Sequence, residues 1–355
     1  MSRHTALGAG GAGQAAPIRI DLAGYARDDG ATGHAAIIEL AETADRLGFG
    51  GIWFNEFHFR RNGLPYPSLL LLGAAVLART ERLRFGTSIL VLPLHHPLML
   101  AEQIAQLDVQ GGGRLDIGVG RGTEPSSFAA LGLDPADARA RFDECLRVML
   151  AAWQHPVSSG AGPHWPFRDV AVGPAPLQRP HPPVYMAAVS PDSIALAARH
   201  GLALLYSLEP NEDRQIAPWR AALDGHASRK ALLRASSLSR YVLVAPRRAA
   251  ALAQLDGLLE RLNARRAARA EAQGNPPPPP RTREQMLAGH AIAGTPEECH
   301  DQIRALCARY ESRSLRVYFS ANGLIPMAEA ETAMRLFAAE VLPALSQPVS
   351  LKKAT

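Results

Sequence analysis

Cysteine is scarce in this chain: Cys145, Cys299 and Cys307 are the only three, and they lie far apart. An odd, scattered set argues against a disulfide framework, and none has metal-ligand spacing. A reducing, cytoplasmic setting is therefore expected. Long apolar runs are missing too. No stretch reaches the 18 or so apolar residues of a membrane span, so no membrane insertion is expected. Charge of one sign is nearly balanced, with 38 basic against 33 acidic residues and a formal net charge of +5. The excess is dispersed, and pairs such as Arg265-Arg266 read as a solvated helix face. No basic patch is interleaved with aromatics, which argues against nucleic-acid binding. The opening MSRHTALGAGGAGQAAP has no apolar signal-peptide core. Residues 1–16 read as a disordered leader and 346–355 as a C-terminal tail.

What is present suits one large core: 355 residues, of which 47% are hydrophobic. Between residues 17 and 345, short apolar runs alternate with longer stretches of helical periodicity. The runs at 18–22, 51–54, 84–92, 114–119, 184–188, 203–206, 239–244 and 315–319 read as strands. Helices are expected at 35–47, 67–79, 97–109, 136–153, 191–200, 212–223, 247–264, 296–309 and 327–345. Eight alternations favour a closed (β/α)₈ TIM barrel, although an open doubly wound sheet has the same local pattern. Two insertions break the rhythm. One, at 154–183 before strand five, is rich in Gly and Pro; the other holds the run Pro276–Pro280 between strands seven and eight. The second is placed to be a lid over the barrel mouth.

Barrels carry their ligands at the C-terminal strand ends, so the residues just past each strand are the candidates. Strand two is followed by Asn55-Glu56-Phe57-His58, strand three by Pro93-Leu94-His95-His96, strand four by Gly120-Arg121-Gly122 and strand five by Val189-Ser190-Pro191-Asp192-Ser193. Ser190 before Pro191 reads as a helix cap, and such a helix start can also receive an anion. Arg121 between two glycines could add a bidentate guanidinium to that anion. His58 titrates near neutrality and suits acid/base work. Glu56 could act beside it, or be a buried carboxylate bonded to backbone. His58, His95 and His96 lack paired-ligand spacing, so no metal site is expected.

These residues carry a resemblance. ADRLGFGGIWFNEFHF at 44–59, FGTSILVLPLHHP at 85–97, GRLDIGVGRG at 113–122 and GTPEEC at 294–299 are similar to motifs of the bacterial luciferase-like flavin monooxygenases. The likeness is greatest to the luciferase α subunit, covers about residues 17–345 and agrees in order. It implies reduced FMN as cofactor, its phosphate held by Arg121 and the Ser190–Ser193 helix start, with Val189 contributing backbone. It implies an isoalloxazine ring against a bulge at Ser88-Ile89 joined by a cis peptide, and oxygen chemistry through a peroxyflavin. Phe57, Gly120 and His96 would line the substrate pocket; either His58 or Glu56 takes the catalytic base role, or the reaction needs no base there. A separate flavin reductase and a homodimer are also implied. The chain departs from the light-emitting members at three points. Phe57 stands where they have a catalytic histidine, Val189 where they have glutamate, and Gly120 where they have a reactive cysteine. Light emission is therefore not expected. A deazaflavin-dependent oxidoreductase and a flavin-binding barrel without turnover are the competing readings.

Overall fold

The computed structural model describes residues 17–25, 33–59, 66–208 and 212–346. The expected leader 1–16, and all of the expected tail except Ser346, lie outside the described residues. The strands are β1 (Arg19–Ala23), β2 (Gly51–Phe54), β3 (Arg84–Thr87), β4 (Leu90–Val91), β5 (Leu115–Gly120), β6 (Ser158–Gly160), β7 (Phe167–Val170), β8 (Val184–Met186), β9 (Ala203–Leu204), β10 (Ser237–Val244), β11 (Ala291–Gly294) and β12 (Ser314–Tyr318). The α-helices are α1 (His34–Leu47), α2 (Leu69–Arg79), α3 (Pro97–Gln110), α4 (Pro125–Ala130), α5 (Ala138–Gln154), α6 (Pro191–Arg199), α7 (Asp213–Ala222), α8 (Arg229–Ala235), α9 (Arg248–Ala272), α10 (Arg283–Gly289), α11 (Pro296–Arg309), α12 (Met327–Glu340) and α13 (Leu342–Ser346).

Parallel pairing runs β10–β12–β1–β2–β3–β5–β8–β9. The ring closes where Leu205, one residue past β9, bridges in parallel to Ser237 at the start of β10. Tyr206 N–H donates to Ser237 O at 3.0 Å at the same seam. Eight strands in a closed ring make the barrel, not the open sheet. Closure also explains the apolar runs, because helices cover the outer face while side chains fill the inner one.

The interior is polar at its lower end. Asp116 on β5 accepts from Arg19 Nη2 at 2.7 Å and from Arg84 Nη2 at 2.8 Å. Asp21 accepts from Arg19 Nε at 2.8 Å and from the Trp53 indole at 2.7 Å. The Trp53 ring then plugs the barrel above them, meeting Tyr185 edge to face at 5.4 Å between centroids. Gly118 allows β3 and β5 to close tightly: a Cβ there would lie 2.1 Å from Thr87 O.

Several boundaries differ from the sequence expectation. The single strand expected at 84–92 is two, β3 and β4, because the Ser88-Ile89 peptide is cis and interrupts the ladder. The insertion before β8 is not irregular throughout; β6 and β7 form an antiparallel hairpin within it. Strand β11 was not anticipated. It pairs with β10 outside the ring and is too short, and too rich in Ala and Gly, to stand out as an apolar run. Helices α4, α8 and α10 are also additional, and α9 continues to Ala272 instead of ending at 264. The polyproline run does not cover the mouth. Pro279 O accepts from Arg266 Nη1 at 3.1 Å and Arg281 N–H donates to Asn263 Oδ1 at 2.8 Å, which ties this segment along the flank of α9. The distal half of α9 reaches the mouth instead.

Candidate active site

The expected C-terminal mouth holds two adjoining cavities of about 800 and about 460 Å³. They share a wall made by Asn55, Ser88, Ile89 and Val189. The position of that wall follows from the strands, since each of these residues lies just past the end of β2, β3 or β8.

The cis peptide is held from two sides. Asn55 Nδ2 donates to Ser88 O, and Arg316 Nη1 donates to Ser88 Oγ at 2.8 Å. Ile89 then leans over β5, where a Cβ at Gly120 would come within 2.2 Å of Ile89 Cδ1. Gly120 therefore leaves room for Ile89.

Glu56 is 5% exposed and sits at the centre of a polar cluster. Its Oε1 accepts from His58 Nε2 at 2.8 Å and from His95 Nε2 at 2.7 Å, while Oε2 accepts from Val91 N–H. Burial alone would raise this carboxyl's pKa; the hydrogen bonds from His58, His95 and Val91 outweigh it and bring the group down to about 2. An ionised carboxylate only accepts, so each Nε2 carries the hydrogen of its bond. The hydrogen bond to Glu56 raises the His58 pKa from its ordinary value, against the opposing effect of burial. His58 Nδ1 makes no hydrogen bond among the described residues. The ligand-capable atoms of Glu56, His58 and His95 lie within 4.8 Å of one another. Both histidines bond to the same carboxylate oxygen, so hydrogen bonding accounts for the cluster without an ion.

The larger cavity is lined at one end by Phe57 and His58 and at the other by Arg121, Ser190 and Ser193. Arg121 is exposed and makes no hydrogen bond among the described residues. Ser190 caps α6, its Oγ accepting from Ser193 N–H at 3.4 Å, and Ser193 is 9% exposed. Asp192 in the same turn pairs with Arg139 at 3.2 Å. Val189 presents an exposed apolar side chain to both cavities.

The expected site residues gather here with one exception. His96 lines neither cavity; it precedes α3 and packs edge-on to Trp165 with centroids 6.4 Å apart. Its neighbour His95 also lines neither cavity, but it turns toward Glu56, because successive residues of an extended segment point opposite ways. A histidine pair contains no signal to choose between them. The reading of Arg265-Arg266 as solvated face is also corrected: Arg265 lines both cavities, as does Arg269 one turn later. Sequence reasoning missed Arg316 altogether, although a lone arginine within the apolar strand β12 was a visible signal.

The family model for luciferase-like monooxygenases matches residues 16–310. The chain belongs to this family. A 4-hydroxyprotoasukamycin monooxygenase of Streptomyces nodosus subsp. asukaensis is 34% identical over 289 residues, 75% of each chain. The oxygenase component of a flavin-dependent trigonelline monooxygenase from Acinetobacter baylyi is 34% identical over 167 residues, 46% of each chain. An alkanal monooxygenase alpha chain of Photorhabdus luminescens is 29% identical over 174 residues, 48% of this chain and 47% of that one. The chain spans about half the length of several curated relatives it matches. Among solved structures, monooxygenase RslO1 from Streptomyces bottropensis superposes with a TM-score of 0.76 at 27% identity, over 92% of this chain and 99% of that one. Two more distant likenesses show the same luciferase-like barrel. The oxygenating constituent of 3,6-diketocamphane monooxygenase from Pseudomonas putida, in complex with FMN, has a TM-score of 0.71 at 19% identity, over 92% and 98% of the two chains. A coenzyme F420 dependent reductase from Methanopyrus kandleri has 0.66 at 19%, over 93% and 100%.

Proposed function

We propose that this protein is the oxygenase component of a two-component flavin monooxygenase. It would take reduced FMN from a separate reductase and use molecular oxygen on a small organic substrate, as a cytoplasmic homodimer. One observation carries the reading. The larger cavity joins an unpaired arginine and a capped helix start at one end to the Ser88-Ile89 wall and the Glu56 cluster at the other. That is a cationic end for a phosphate and a wider end for a ring system. The donor set fits FMN: Arg121 makes no ion pair among the described residues, and the acid of the helix turn, Asp192, is engaged by Arg139, while Glu124 also lines this end.

In this reading Arg121 and the first turn of α6 hold the phosphate. The Ser88-Ile89 wall, fixed by Asn55 and Arg316, positions the ring. When bound, reduced FMN supplies the electrons for oxygen chemistry, and the protein supplies binding, orientation and exclusion of water. His58 holds or moves a proton at Nδ1, since its Nε2 is committed to Glu56. His95 and Val91 keep Glu56 ionised, and Glu56 in turn fixes the His58 ring. Phe57 cannot transfer a proton, so acid/base work on this loop falls to His58.

Oxygen uptake with enzymatically reduced FMN, measured across a panel of aldehydes, ketones, amines and aromatic acids, tests the proposal. Uptake coupled to an oxygenated product is expected. Uptake without product for any substrate would favour a flavin-binding barrel. Turnover only with reduced coenzyme F420 would replace the monooxygenase reading with the deazaflavin one.

A further inference from the structure

The smaller cavity is separate from the phosphate end and has a distinctive charge. Arg316 of β12, bonded to Ser88, lines it, and the distal half of α9 brings Arg265 and Arg269, which line the larger cavity as well. No aspartate or glutamate lines it among the described residues. Tyr241 and Tyr318, edge to face at 6.1 Å between centroids, add aromatic surface.

Arg316 is the unusual member. It is 3% exposed, and all its hydrogen-bond acceptors are neutral: Ser88 Oγ at 2.8 Å, Tyr206 O at 2.7 Å, and Ser237 Oγ and O at 3.3 and 3.4 Å. The other deeply placed arginines differ. Arg240 is paired with Glu212, while Arg19 and Arg84 meet Asp21 and Asp116. Asp21 attracts it only from beyond hydrogen-bond contact; a buried cation with no carboxylate bonded to it is costly, and an anion within reach would offset that cost.

We propose that this second cavity is the substrate pocket and that it selects an organic anion: a cyclic or aromatic molecule carrying a carboxylate or similarly acidic hydroxyl. Arg316 provides the positive floor, Arg265 and Arg269 the rim, and Tyr241 and Tyr318 the apolar walls. Guanidinium groups match a carboxylate in bidentate fashion, and a cavity of about 460 Å³ suits a small ring system. The inference deepens the flavin reading and rests on it, because it assigns the larger cavity to FMN and leaves this one for the substrate.

Matched probes test it on the full chain with saturating FMN: benzoate, 1-naphthoate and cyclohexanecarboxylate, each against its neutral carboxamide, by titration calorimetry. The acids are expected to bind at least about tenfold more tightly than the amides, a difference of about 1.4 kcal/mol. In the double variant Arg265→Gln, Arg269→Gln, with FMN titrated again to saturation because both side chains also line the larger cavity, the acid-to-amide gap should shrink severalfold. Both side chains lie at the rim of the mouth, and circular dichroism checks that the variant folds. Equal binding of acids and amides, no binding of any probe, or an acid preference untouched by the double variant would each overturn the proposal. So would a double variant that loses FMN affinity instead, since these arginines would then serve the phosphate. If FMN itself fails to bind while the acid preference persists, the flavin assignment falls and the anion pocket stands.

Discussion

At the scale of single residues, the site depends on two charge arrangements. Arg121 is exposed and unpaired, which is costly neither to fold nor to leave empty, so its worth appears only on binding. Arg121→Ala should weaken FMN binding by about 1.5–3 kcal/mol, the value of hydrogen bonds to a charged group. Riboflavin, without the phosphate, should bind parent and variant nearly equally in a fluorescence titration. Unchanged FMN affinity would remove Arg121 from the site. His58 makes the opposite case, because its partner Glu56 is buried and stays ionised. His58→Ala should lower turnover about 10²–10⁴-fold while flavin affinity shifts only a few fold. A preserved single-turnover rate at saturating flavin would end the acid/base assignment.

The same contact has a pH signature. Its contribution to stability is fully present below the ordinary imidazole pKa of about 6.5 and is lost as pH rises through the raised His58 value. The Glu56 contribution runs the other way, present above the ordinary carboxylate range and lost as pH falls toward about 2. The His58 ring should accordingly titrate above about 6.5 by NMR and move down in Glu56→Gln. A midpoint that does not move between the two proteins would refute the coupling.

Among the elements, β5 carries the most tertiary information. Its lower end supplies Asp116, its middle supplies Gly118 for close approach to Thr87, and its upper end supplies Gly120 beneath Ile89. Asp116 is fully buried, and burial would raise its pKa; Arg19 and Arg84 outweigh that and hold it lowered. Removing the acid leaves two guanidinium groups short of a partner in the barrel. Asp116→Ala should cost about 3–5 kcal/mol, read as a fall in the urea midpoint. A loss below about 1 kcal/mol would mean the two arginines find other acceptors and that the network contributes little. Helix α9 plays a different part. It follows β10 directly and packs on β10 and β11, and its distal half brings Arg265 and Arg269 to the mouth.

For the whole molecule, the phosphate end of the larger cavity is open at an exposed arginine, which suits a flavin that arrives and leaves. The purified protein should therefore elute from gel filtration with little flavin absorbance. The proposed homodimer rests on the family resemblance. Light scattering on the same eluate should give twice the chain mass of 38.0 kDa. A stoichiometric yellow protein, or a monomeric mass, would each contradict its half of this expectation.

The eightfold alternation, the helix start at Ser190, and the candidates past β2, β5 and β8 were all legible in the sequence. Each rests on local periodicity or on capping chemistry, which depend on neighbours a few residues apart. The Ser88-Ile89 cis bond was legible only through resemblance, since no local preference favours it. Other features were decided by tertiary structure alone. Closure of the ring depends on Leu205 meeting Ser237, a pairing no local pattern specifies. Which of two adjacent histidines turns inward depends on where Glu56 lies, 39 residues away in the chain. The partners of Arg316 come from just past β3, just past β9 and from β10, so only the assembled barrel reveals that they are neutral. The role of α9 was hidden for the same reason: a basic pair on a helix looks solvated until the surface it faces is known.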